Sequence, residues 1–369
     1  MNKSLQDLAE IHYGKSPKGI RVDSSVYPIF GTGGHVGYAI KPLFKAPGIV
    51  VGRKGTLGNP IFSPDDFWAI DTTYAVLPKS GVDAKWIYYN LLNYDLSRLN
   101  EATGVPSINR DYLYQISFCY LKSEEQRKIA EVLTTVDDAI EQTEALIHKY
   151  QRIKQGLMQD LLDNPSWPTY KLGDPELFSL YTGGTPSTEI SEYWGGSIPW
   201  LSSGEVHKKR IWDTEKKITE LGYKKSNARY IPVHSTLIAL AGQGKTRGTA
   251  AITEIEITTN QSIAAIMPNE AKIDPYFLFH SLDYQYLPLR AASAGAGRAG
   301  LNLHLLAQFE IKVPNLISEQ RRIAEYFETL DNTMHENLII KGKLVQLKQG
   351  LMQDMLTGKV RVNALLKTD

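Results

Sequence analysis

A glycine- and lysine-containing segment, ALAGQGKT at residues 239–246, carries the residue types of a phosphate-binding loop. In a P-loop, backbone N–H groups at a helix start cradle the phosphates. Here Ala239 replaces the first glycine, and the residues that follow, RGTAAITEIEI, predict a strand instead of a helix. We interpret the segment as a cationic loop, in which Lys245 and Arg247 reach phosphates or Gln243 and Arg247 reach base edges of a nucleic acid. A purely structural hairpin turn is the alternative.

A second segment, Asn59-Pro60-Ile61-Phe62, is similar to the catalytic tetrapeptide of adenine-N6 methyltransferases. Isoleucine replaces its second proline, and no glycine-rich S-adenosylmethionine loop accompanies it, so we expect a turn before a strand. No acid–base dyad, metal-ligand cluster or nucleophile triad stands out among the eight histidines and the single cysteine, Cys119. We expect Cys119 to be a buried small hydrophobic residue. The sequence therefore predicts a chain that is not itself an enzyme, with a methyltransferase or an NTPase as the alternative.

The charge is unevenly distributed along the chain. The net charge is only +1, yet residues 200–250 hold ten basic and four acidic residues, whereas residues 123–163 hold five basic and nine acidic ones. Basic segments joined by an acidic one favour contact with a polyanion at the basic segments. Solvated surface charge is the other interpretation.

The composition excludes several classes of protein. Hydrophobic residues at 42% and charged residues at 22% are typical of an ordinary soluble globular protein, and 369 residues suffice for two or three domains. No run approaches the roughly 18 apolar residues of a membrane span. The start, MNKSLQDLAEIHYG, lacks the apolar core of a signal peptide. With a single cysteine, these features predict a cytoplasmic protein without a disulfide framework.

A repeated segment organises the chain. Residues 125–162 and 319–356 align without a gap and are identical at 17 of 38 positions, most closely at their two ends. Apolar residues recur at steps of three and four in both copies, which predicts two long amphipathic helices. Ser123 or Glu124 is expected to open the first helix, Ser318 to cap the second, and Thr357-Gly358 to end it. A helix of about 40 residues is roughly 60 Å long.

The segments before each helix share an outline of short strands, glycine-rich loops and one longer helix. The run Gly48–Gly55 corresponds roughly to Thr236–Lys245, and Tyr74–Pro78 to Ala264–Pro268. We predict an α+β fold with two pseudo-two-fold-related globular α/β domains, separated by two long antiparallel, coiled-coil-like helices. The predicted boundaries are a first lobe at 1–122, a spacer helix at 123–163, a second lobe at 164–317, a second spacer helix at 318–360 and a tail at 361–369.

These motifs resemble the specificity subunits of type I restriction–modification systems. The resemblance rests on the EQR-(K/R)-IAE helices that end in LKQGLMQDLL-like residues, on YPIFGTGGHVGY (27–38) and GIVVGRKGTLG (48–58), and on GGTPSTEISEYWGGSIPWLSSGEV (183–206). It covers essentially the whole chain. It departs from the family where a proline pair usually precedes each helix, since only Pro314 is present.

The resemblance implies a sequence-specific DNA-binding subunit without catalytic residues. Each lobe would be a target recognition domain for half of a bipartite site in double-stranded DNA, and the helices would set the half-site spacing. The expected DNA contacts are Thr32, His35, Arg53, Lys54, Thr56, Ser202, Ser203, His207, Lys208, Gln243, Lys245, Arg247 and Arg298.

The resemblance also implies partners. The helices would bind two methyltransferase subunits, which methylate adenine N6, and restriction subunits would add DNA cleavage. Cofactors would not bind this chain, since S-adenosylmethionine, ATP and Mg are expected on the partners. The expected partner contacts are the matched ends of the repeats: Gln126, Arg127, Lys154, Gln155, Gln320, Arg321, Lys348 and Gln349. The alternative is a coiled-coil scaffold, or the specificity component of a related methyltransferase system without a nuclease.

Overall fold

A computed structural model describes residues 2–242, 244–292 and 300–362. The chain divides into two compact units, each made of one lobe and parts of both long helices. Unit 1 contains Met1–Ala145 and Leu338–Asp369, and unit 2 contains Leu146–Asn337. Gln243 and Arg298, both expected to contact DNA, lie outside the described residues.

Lobe 1 is built from two four-stranded sheets and a two-stranded pair. Its strands are β1 (Asn2–Ser4), β2 (Ala9–Tyr13), β3 (Arg21–Val22), β4 (Tyr27–Gly31), β5 (Gly34–Ala39), β6 (Gly48–Gly52), β7 (Ile61–Ser63), β8 (Trp68–Ala69), β9 (Thr73–Pro78) and β10 (Ser117–Cys119). Its helices are α1 (Leu5–Leu8), α2 (Ala84–Asn93), a 3₁₀ turn (Leu96–Leu99) and α3 (Arg110–Gln115), followed by the long helix α4 (Ser123–Leu162). The sheet orders are β2-β9-β6-β7, β3-β5-β4-β8 and β1-β10.

Lobe 2 repeats this plan with additions. Its strands are β11 (Thr169–Lys171), β12 (Phe178–Thr182), β13 (Trp194–Leu201), β14 (Arg210–Ile211), β15 (Lys216–Ile218), β16 (Thr236–Ala239), β17 (Ala250–Thr253), β18 (Thr258–Thr259), β19 (Ile263–Pro268) and β20 (Glu310–Lys312). Its helices are α5 (Glu220–Lys224), α6 (Pro275–Tyr284), α7 (Tyr286–Ala292) and α8 (Leu303–Ala307), with 3₁₀ turns at Ser191–Tyr193 and Ser203–Lys208, before the long helix α9 (Ile317–Leu356). The sheet orders are β12-β19-β16-β17-β14, β15-β13-β18 and β11-β20.

The two lobes match element by element. Strand β6 lies between β9 and β7, and β16 lies between β19 and β17, as the sequence correspondence predicts. Even a close backbone approach is repeated. A Cβ on Gly14, after β2, would lie 2.0 Å from the carbonyl oxygen of Ile70, and one on Gly183, after β12, would lie 2.0 Å from that of Thr259. Only glycine fits such an approach.

Both long helices form, with small differences at their starts. Helix α4 begins at Ser123, whereas α9 begins at Ile317, so Ser318 lies inside the first turn instead of capping it. Gly358, with φ of 75°, follows α9 and donates its N–H to Met355 at 3.2 Å, which is the expected glycine stop. Cys119 is only partly buried, contrary to expectation, because it lies at the end of the short β10 pair.

Within unit 1, the two helices run antiparallel. Asp137 pairs with Lys348 at 2.6 Å, and Glu144, further along α4, pairs with Lys341, earlier in α9, also at 2.6 Å. The helix ends pack on lobe 1 in one hydrophobic core that includes Ile129, Leu133, Met352 and Met355 of the helices and Leu5, Trp86, Leu91 and Phe118 of the lobe. In unit 2, the corresponding core joins Leu157, Leu161, Leu162, Ile323 and Phe327 of the helices to Phe277, Leu278, Leu289 and Ile311 of lobe 2.

A candidate nucleic-acid interface in each lobe

In lobe 1, three loops meet beside the end of strand β6. The loop after β6 pairs with residues 106–108, because Gly55 donates its N–H to Pro106 at 2.8 Å and Ile108 donates to Arg53 at 3.0 Å. The tip of the β4–β5 hairpin is also near, since a Cβ on Gly55 would lie 3.7 Å from Thr32 Oγ1. We call residues 32, 53–58 and 106–110 the lobe-1 loop face. It brings together the expected DNA contacts Thr32, Arg53, Lys54 and Thr56.

A cluster of cations and aromatic rings lies next to this loop face. The guanidinium carbons of Arg53 and Arg110 lie 5.4 Å and 5.1 Å from the ring centre of Tyr13, which is 46% exposed. Beneath it, burial and the neighbouring Tyr13 raise the pKa of Tyr74 to about 12, so Tyr74 stays neutral. Tyr13 and Arg110 were not among the expected contacts. Tyr13 is far from Arg53 in sequence, and only the pairing of β2 with β9 brings it close.

His35 lies on β5 of the same hairpin with its ring exposed. It packs against Phe30 and Tyr38, with ring centres 6.2 Å and 4.7 Å away. The imidazole of His35 is therefore accessible to solvent. The Asn59-Pro60 segment leads directly into β7, so the strand follows as predicted, and the segment itself is an irregular connection.

In lobe 2, the segment resembling a P-loop is a loop between two strands. It follows β16 and leads into β17, so no helix N-terminus stands behind it and the P-loop interpretation fails on geometry. Arg290 of α7 holds the loop: its Nη1 donates to the carbonyl oxygen of Gly244 at 2.6 Å and of Arg247 at 3.2 Å. Tyr286 adds a hydrogen bond to the carbonyl of Lys245 at 3.0 Å. The side chain of Lys245 is exposed and that of Arg247 half-buried.

The other expected contacts of lobe 2 lie on the 3₁₀ turn after β13. Ser202 and Glu205 form a capping box, in which Glu205 accepts from the Ser202 N–H at 3.2 Å. Although burial opposes it, the N–H of Glu215 and the ammonium of Lys208 hold the pKa of Glu205 below its usual range. Lys208 thus pairs within its own lobe, at 2.9 Å from Glu205. Ser203 is half-buried and His207 exposed, and these two face no such charge partner within the described chain.

The expected partner contacts divide into two groups. Gln126 and Gln320 are buried, and each joins its helix to its own lobe. Gln126 accepts from the N–H of Asp83 at 2.9 Å and donates to the carbonyl of Leu121 at 2.8 Å. Gln320 does the same with Asp274 at 2.8 Å and Pro314 at 2.9 Å, and it also donates to the carbonyl of Lys272 at 3.1 Å. These glutamines therefore have a structural role and present no surface to a partner.

The two lysines that match between the repeats also pair within the chain. Lys348 pairs with Asp137 in unit 1, and Lys154 pairs with Asp331 in unit 2 at 2.6 Å. Since the two pairs occupy equivalent positions of the repeat, the matched helix ends are explained by two equivalent joints inside the protein. The remaining expected partner contacts, Arg127, Gln155, Arg321 and Gln349, are exposed.

The lobe–helix joint of unit 2 carries one further cluster of potential ligands, His280, Glu328 and Asp331. It is better explained as an ion-pair network than as a metal site. His280 Nε2 lies 2.9 Å from one carboxylate oxygen of Glu328, and the other oxygen pairs with Arg210. Asp331 forms an ion pair with Lys154. Two cations already neutralise the carboxylates, which disfavours a bound metal ion.

The family model for the type I restriction modification DNA specificity domain matches residues 1–150 and 164–349. The chain belongs to this family. The matched residues include both lobes, and the resemblance seen in the sequence is confirmed. In the described residues, no helix is both long and apolar enough to cross a membrane.

The chain is also similar in sequence to individual specificity subunits of type I restriction enzymes. The chain is 32% identical over 188 residues to the EcoR124I/EcoR124II specificity subunit of Escherichia coli, a match that spans 49% of this chain and 46% of that protein. It is 21% identical to the putative MjaX specificity subunit of Methanocaldococcus jannaschii over 77% of this chain and 70% of that one. The first match therefore covers about half of the relative's length.

The fold is shared with a solved member. The crystal structure of the S subunit of the type I restriction–modification system of M. genitalium aligns with a TM-score of 0.73 and 17% sequence identity, covering 96% of each chain. This likeness bears on the fold and confirms the predicted class, two related α/β lobes with long helices.

Proposed function

We propose that this chain is the sequence-specific DNA-binding subunit of a type I restriction–modification complex and that it has no catalytic role. Each lobe would read one half of a bipartite duplex site, with the long helices setting the spacing. The observation that carries the proposal is the equivalent placement of two cationic loops, after β6 in lobe 1 and after β16 in lobe 2. Lysine and arginine on such loops would position the phosphates, while neighbouring side chains read base edges.

The long helices would bind two methyltransferase subunits, and restriction subunits would join the complex through them. Four of the expected partner contacts are exposed, and α9 adds exposed apolar residues in unit 1. They are Leu338, Ile339, Ile340, Val345 and Leu347. Leu338 and Val345 share one face of the helix, and Ile340 and Leu347 share another, so the helix offers apolar side chains to a partner on more than one side. S-adenosylmethionine, ATP and Mg would then bind to the partners, where adenine methylation and cleavage take place.

Methylation profiling of the host genome tests the proposal. Deleting this chain should abolish adenine-N6 methylation at one bipartite motif, and restoring the chain should restore it. An unchanged methylation pattern would contradict the proposed role. Stoichiometric binding of S-adenosylmethionine or ATP by the isolated chain would contradict the absence of a catalytic role.

A variant of the lobe-2 loop tests the interface directly. The change Lys245→Ala with Arg247→Ala should weaken duplex binding at least tenfold at low salt, because two phosphate contacts are lost. The matched control is Lys272→Ala with Lys312→Ala, which removes the same charge at two lysines that pair with Glu176 and Asp163. Equal affinities of the two variants would exclude the loop from the interface. Partner assembly should be unchanged in both.

A further inference from the structure

We propose that Arg53 and Arg110, which share the ring of Tyr13, form a phosphate-binding site that holds a phosphodiester of the DNA backbone in lobe 1. The inference rests on the proposed DNA-binding function and names a site for it. Arg110 and Tyr13 come from the geometry alone, since neither stands in a recognisable sequence motif.

The cluster is rigidly positioned. Tyr13 is the last residue of β2, and its ring packs on that of Tyr74 at 5.2 Å. Arg53 follows β6 and donates its N–H to the carbonyl of Thr72 at 2.9 Å. Arg110 is the first residue of α3, directly after the cap Asn109, whose Oδ1 accepts from the N–H of Asp111 at 3.0 Å. Three separate segments therefore hold the two guanidinium groups against one ring before any ligand binds.

The two positive charges lack compensation. Across residues 2–242, 244–292 and 300–362, Arg53 and Arg110 form no ion pair, and the Nε of each is buried without a hydrogen-bond partner. Arg110 also lies 5.9 Å from the ring centre of Tyr114. Two like charges close to one aromatic ring repel each other, and an anion bound by both would reduce that repulsion. With Nε shielded, the terminal nitrogens of each guanidinium remain as donors, and these match the paired oxygens of a phosphodiester.

The site is continuous with the lobe-1 loop face. Arg53 precedes Lys54, which pairs with Ser107 through the backbone, and Arg110 ends the same 106–110 segment. An anion held by the two arginines would thus lie beside Thr32 and the exposed Lys54. A phosphate of a duplex docked on this face would reach the arginines while its bases face the loops.

In the described part of lobe 2, the three positions equivalent to Tyr13, Arg53 and Arg110 carry other residue types. By strand register, Thr182 stands where Tyr13 does, and Leu240 follows β16 as Arg53 follows β6. Leu303 follows the cap Asn302 as Arg110 follows Asn109. The site therefore belongs to lobe 1, and a general requirement of the shared fold does not explain it.

The salt dependence of duplex binding tests the site. The full chain is titrated with a random-sequence 40-base-pair duplex at several salt concentrations. The change Arg53→Gln with Arg110→Gln should lower the magnitude of the slope of log K against log salt by about one, since the two arginines hold one phosphate and about 0.9 counterions are released per phosphate contact. The control, Lys79→Gln with Lys128→Gln, removes equal charge away from the loop face, because Lys79 follows Pro78, at the opposite end of β9 from the Tyr74–Tyr13 pair, and Lys128 lies on helix α4. The slope of this control variant should match that of wild type.

A second pair of variants separates stacking from charge. Tyr13→Phe keeps the ring and should bind DNA as wild type does, whereas Tyr13→Ala should weaken binding about as much as losing one arginine. A double arginine variant that folds, binds DNA and keeps the wild-type slope would overturn the site while leaving the proposed function intact. Absence of duplex binding by wild type would instead refute the function. In a third outcome, the double arginine variant keeps the wild-type slope, and inorganic phosphate raises the melting temperature of the wild type but not of that variant. This result would assign the cluster to a free anion and overturn the DNA assignment.

Discussion

The two lobes agree closely at their joints with the helices and differ at the faces proposed to meet DNA. At the joints, Gln126 and Gln320 both bind the N–H of a helix-capping aspartate and a carbonyl just before their own helix, and Gln320 adds a third bond to the carbonyl of Lys272. At the other end of the sheets, lobe 1 places Tyr13, Arg53 and Arg110 where lobe 2 has Thr182, Leu240 and Leu303. The two lobes thus share the hydrogen bonds that join them to the helices and differ in the residues at the other end of their sheets. This is the pattern expected when two related domains are mounted identically but contact different ligands.

A groove shows the same divergence at an edge strand. In lobe 1, the hydroxyl of Tyr114 accepts from the N–H of Ile11 on β2 at 2.9 Å. In lobe 2, Ala307 stands in the place of Tyr114, and an open groove of about 640 Å³ lies between β12 and α8. It is lined by Phe178, Leu180, Tyr181, Leu303, His304 and Ala307. A single side chain therefore covers an edge in one lobe that the other leaves open.

The largest effect should come from breaking the joints. Replacing Gln126 by Ala leaves the N–H of Asp83 and the carbonyl of Leu121 unpaired in a buried site, which should cost about 2–4 kcal/mol of unfolding free energy. Gln320→Ala should cost at least as much, because it loses the two corresponding bonds and a third bond to the carbonyl of Lys272 at 3.1 Å. Chemical denaturation, followed for each unit by its own tryptophans, measures both losses.

Two outcomes would break the similarity of the joints. One is a large loss in one glutamine variant with none in the other. The second is a loss of comparable size in Gln155→Ala, the matched control on an exposed helix position, where we expect less than about 0.5 kcal/mol.

Removing the Tyr114 ring should be the next largest effect. Tyr114→Ala leaves the N–H of Ile11 without its protein partner and opens the groove seen in lobe 2, so we expect a loss of about 2 kcal/mol. Tyr114→Phe removes only the hydroxyl and should cost about 1 kcal/mol. Thermal or urea unfolding of lobe 1 measures both changes. Equal stability of all three proteins would show that the edge does not depend on Tyr114.

Most of the architecture could be predicted from the sequence because it is repetitive. The steps of three and four in the two copies define α4 and α9, and the glycine stop at Gly358 follows from local backbone chemistry. The role of the matched ends could not be predicted, since Gln126 has its partners at Asp83 and Leu121, and only the fold brings Asp83 to it. A helical pattern reports which face is apolar, but not whether a neighbouring glutamine faces a partner or its own lobe.

The candidate interface was only partly predictable for the same reason. Glycine- and cation-rich loops are local signals, and they led to Arg53, Lys54, Lys245 and Arg247. Tyr13 and Arg110 join them through strand pairing and a helix cap, which leave no local signature. Lys208 illustrates the converse error, because the basic run 208–210 gives no indication that Glu205 and Glu215 neutralise its first lysine.

Lowering the pH should destabilise the lobe–helix joint of unit 2 but not that of unit 1, and we expect this effect to be smaller than those of the substitutions above. Burial lowers the pKa of His280 in unit 2, although its hydrogen bond to Glu328 opposes the shift. The unfolded chain therefore takes up a proton more readily below about pH 6.5, and unit 2 loses stability as the pH falls from 7 towards 5, by up to about 1.4 kcal/mol per pH unit. Glu328 has its pKa lowered, since His280 and Arg210 outweigh burial, so its contribution is lost only at lower pH.

The equivalent position in unit 1 is Tyr89, which donates to Asp137 at 2.8 Å and does not titrate in this range. His280→Gln keeps a donor for Glu328 but cannot be protonated, so it should flatten the decline of unit 2 between pH 7 and pH 5. Denaturation midpoints at each pH supply the measurement. A decline that persists unchanged in this variant would assign the acid sensitivity to other groups.

The smallest effect should come from the clamp on the lobe-2 loop. Arg290→Gln removes the hydrogen bonds that hold the carbonyls of Gly244 and Arg247, so the loop gains freedom that DNA binding must then remove. We expect duplex affinity to fall about three- to fivefold, less than for the loss of Lys245 and Arg247 themselves. The slope of log K against log salt should stay that of wild type, because Arg290 acts through its hold on the loop. A slope reduced by about one would instead show that Arg290 contacts a phosphate directly, and that lobe 2, like lobe 1, reaches the backbone with an arginine from outside its strand loop.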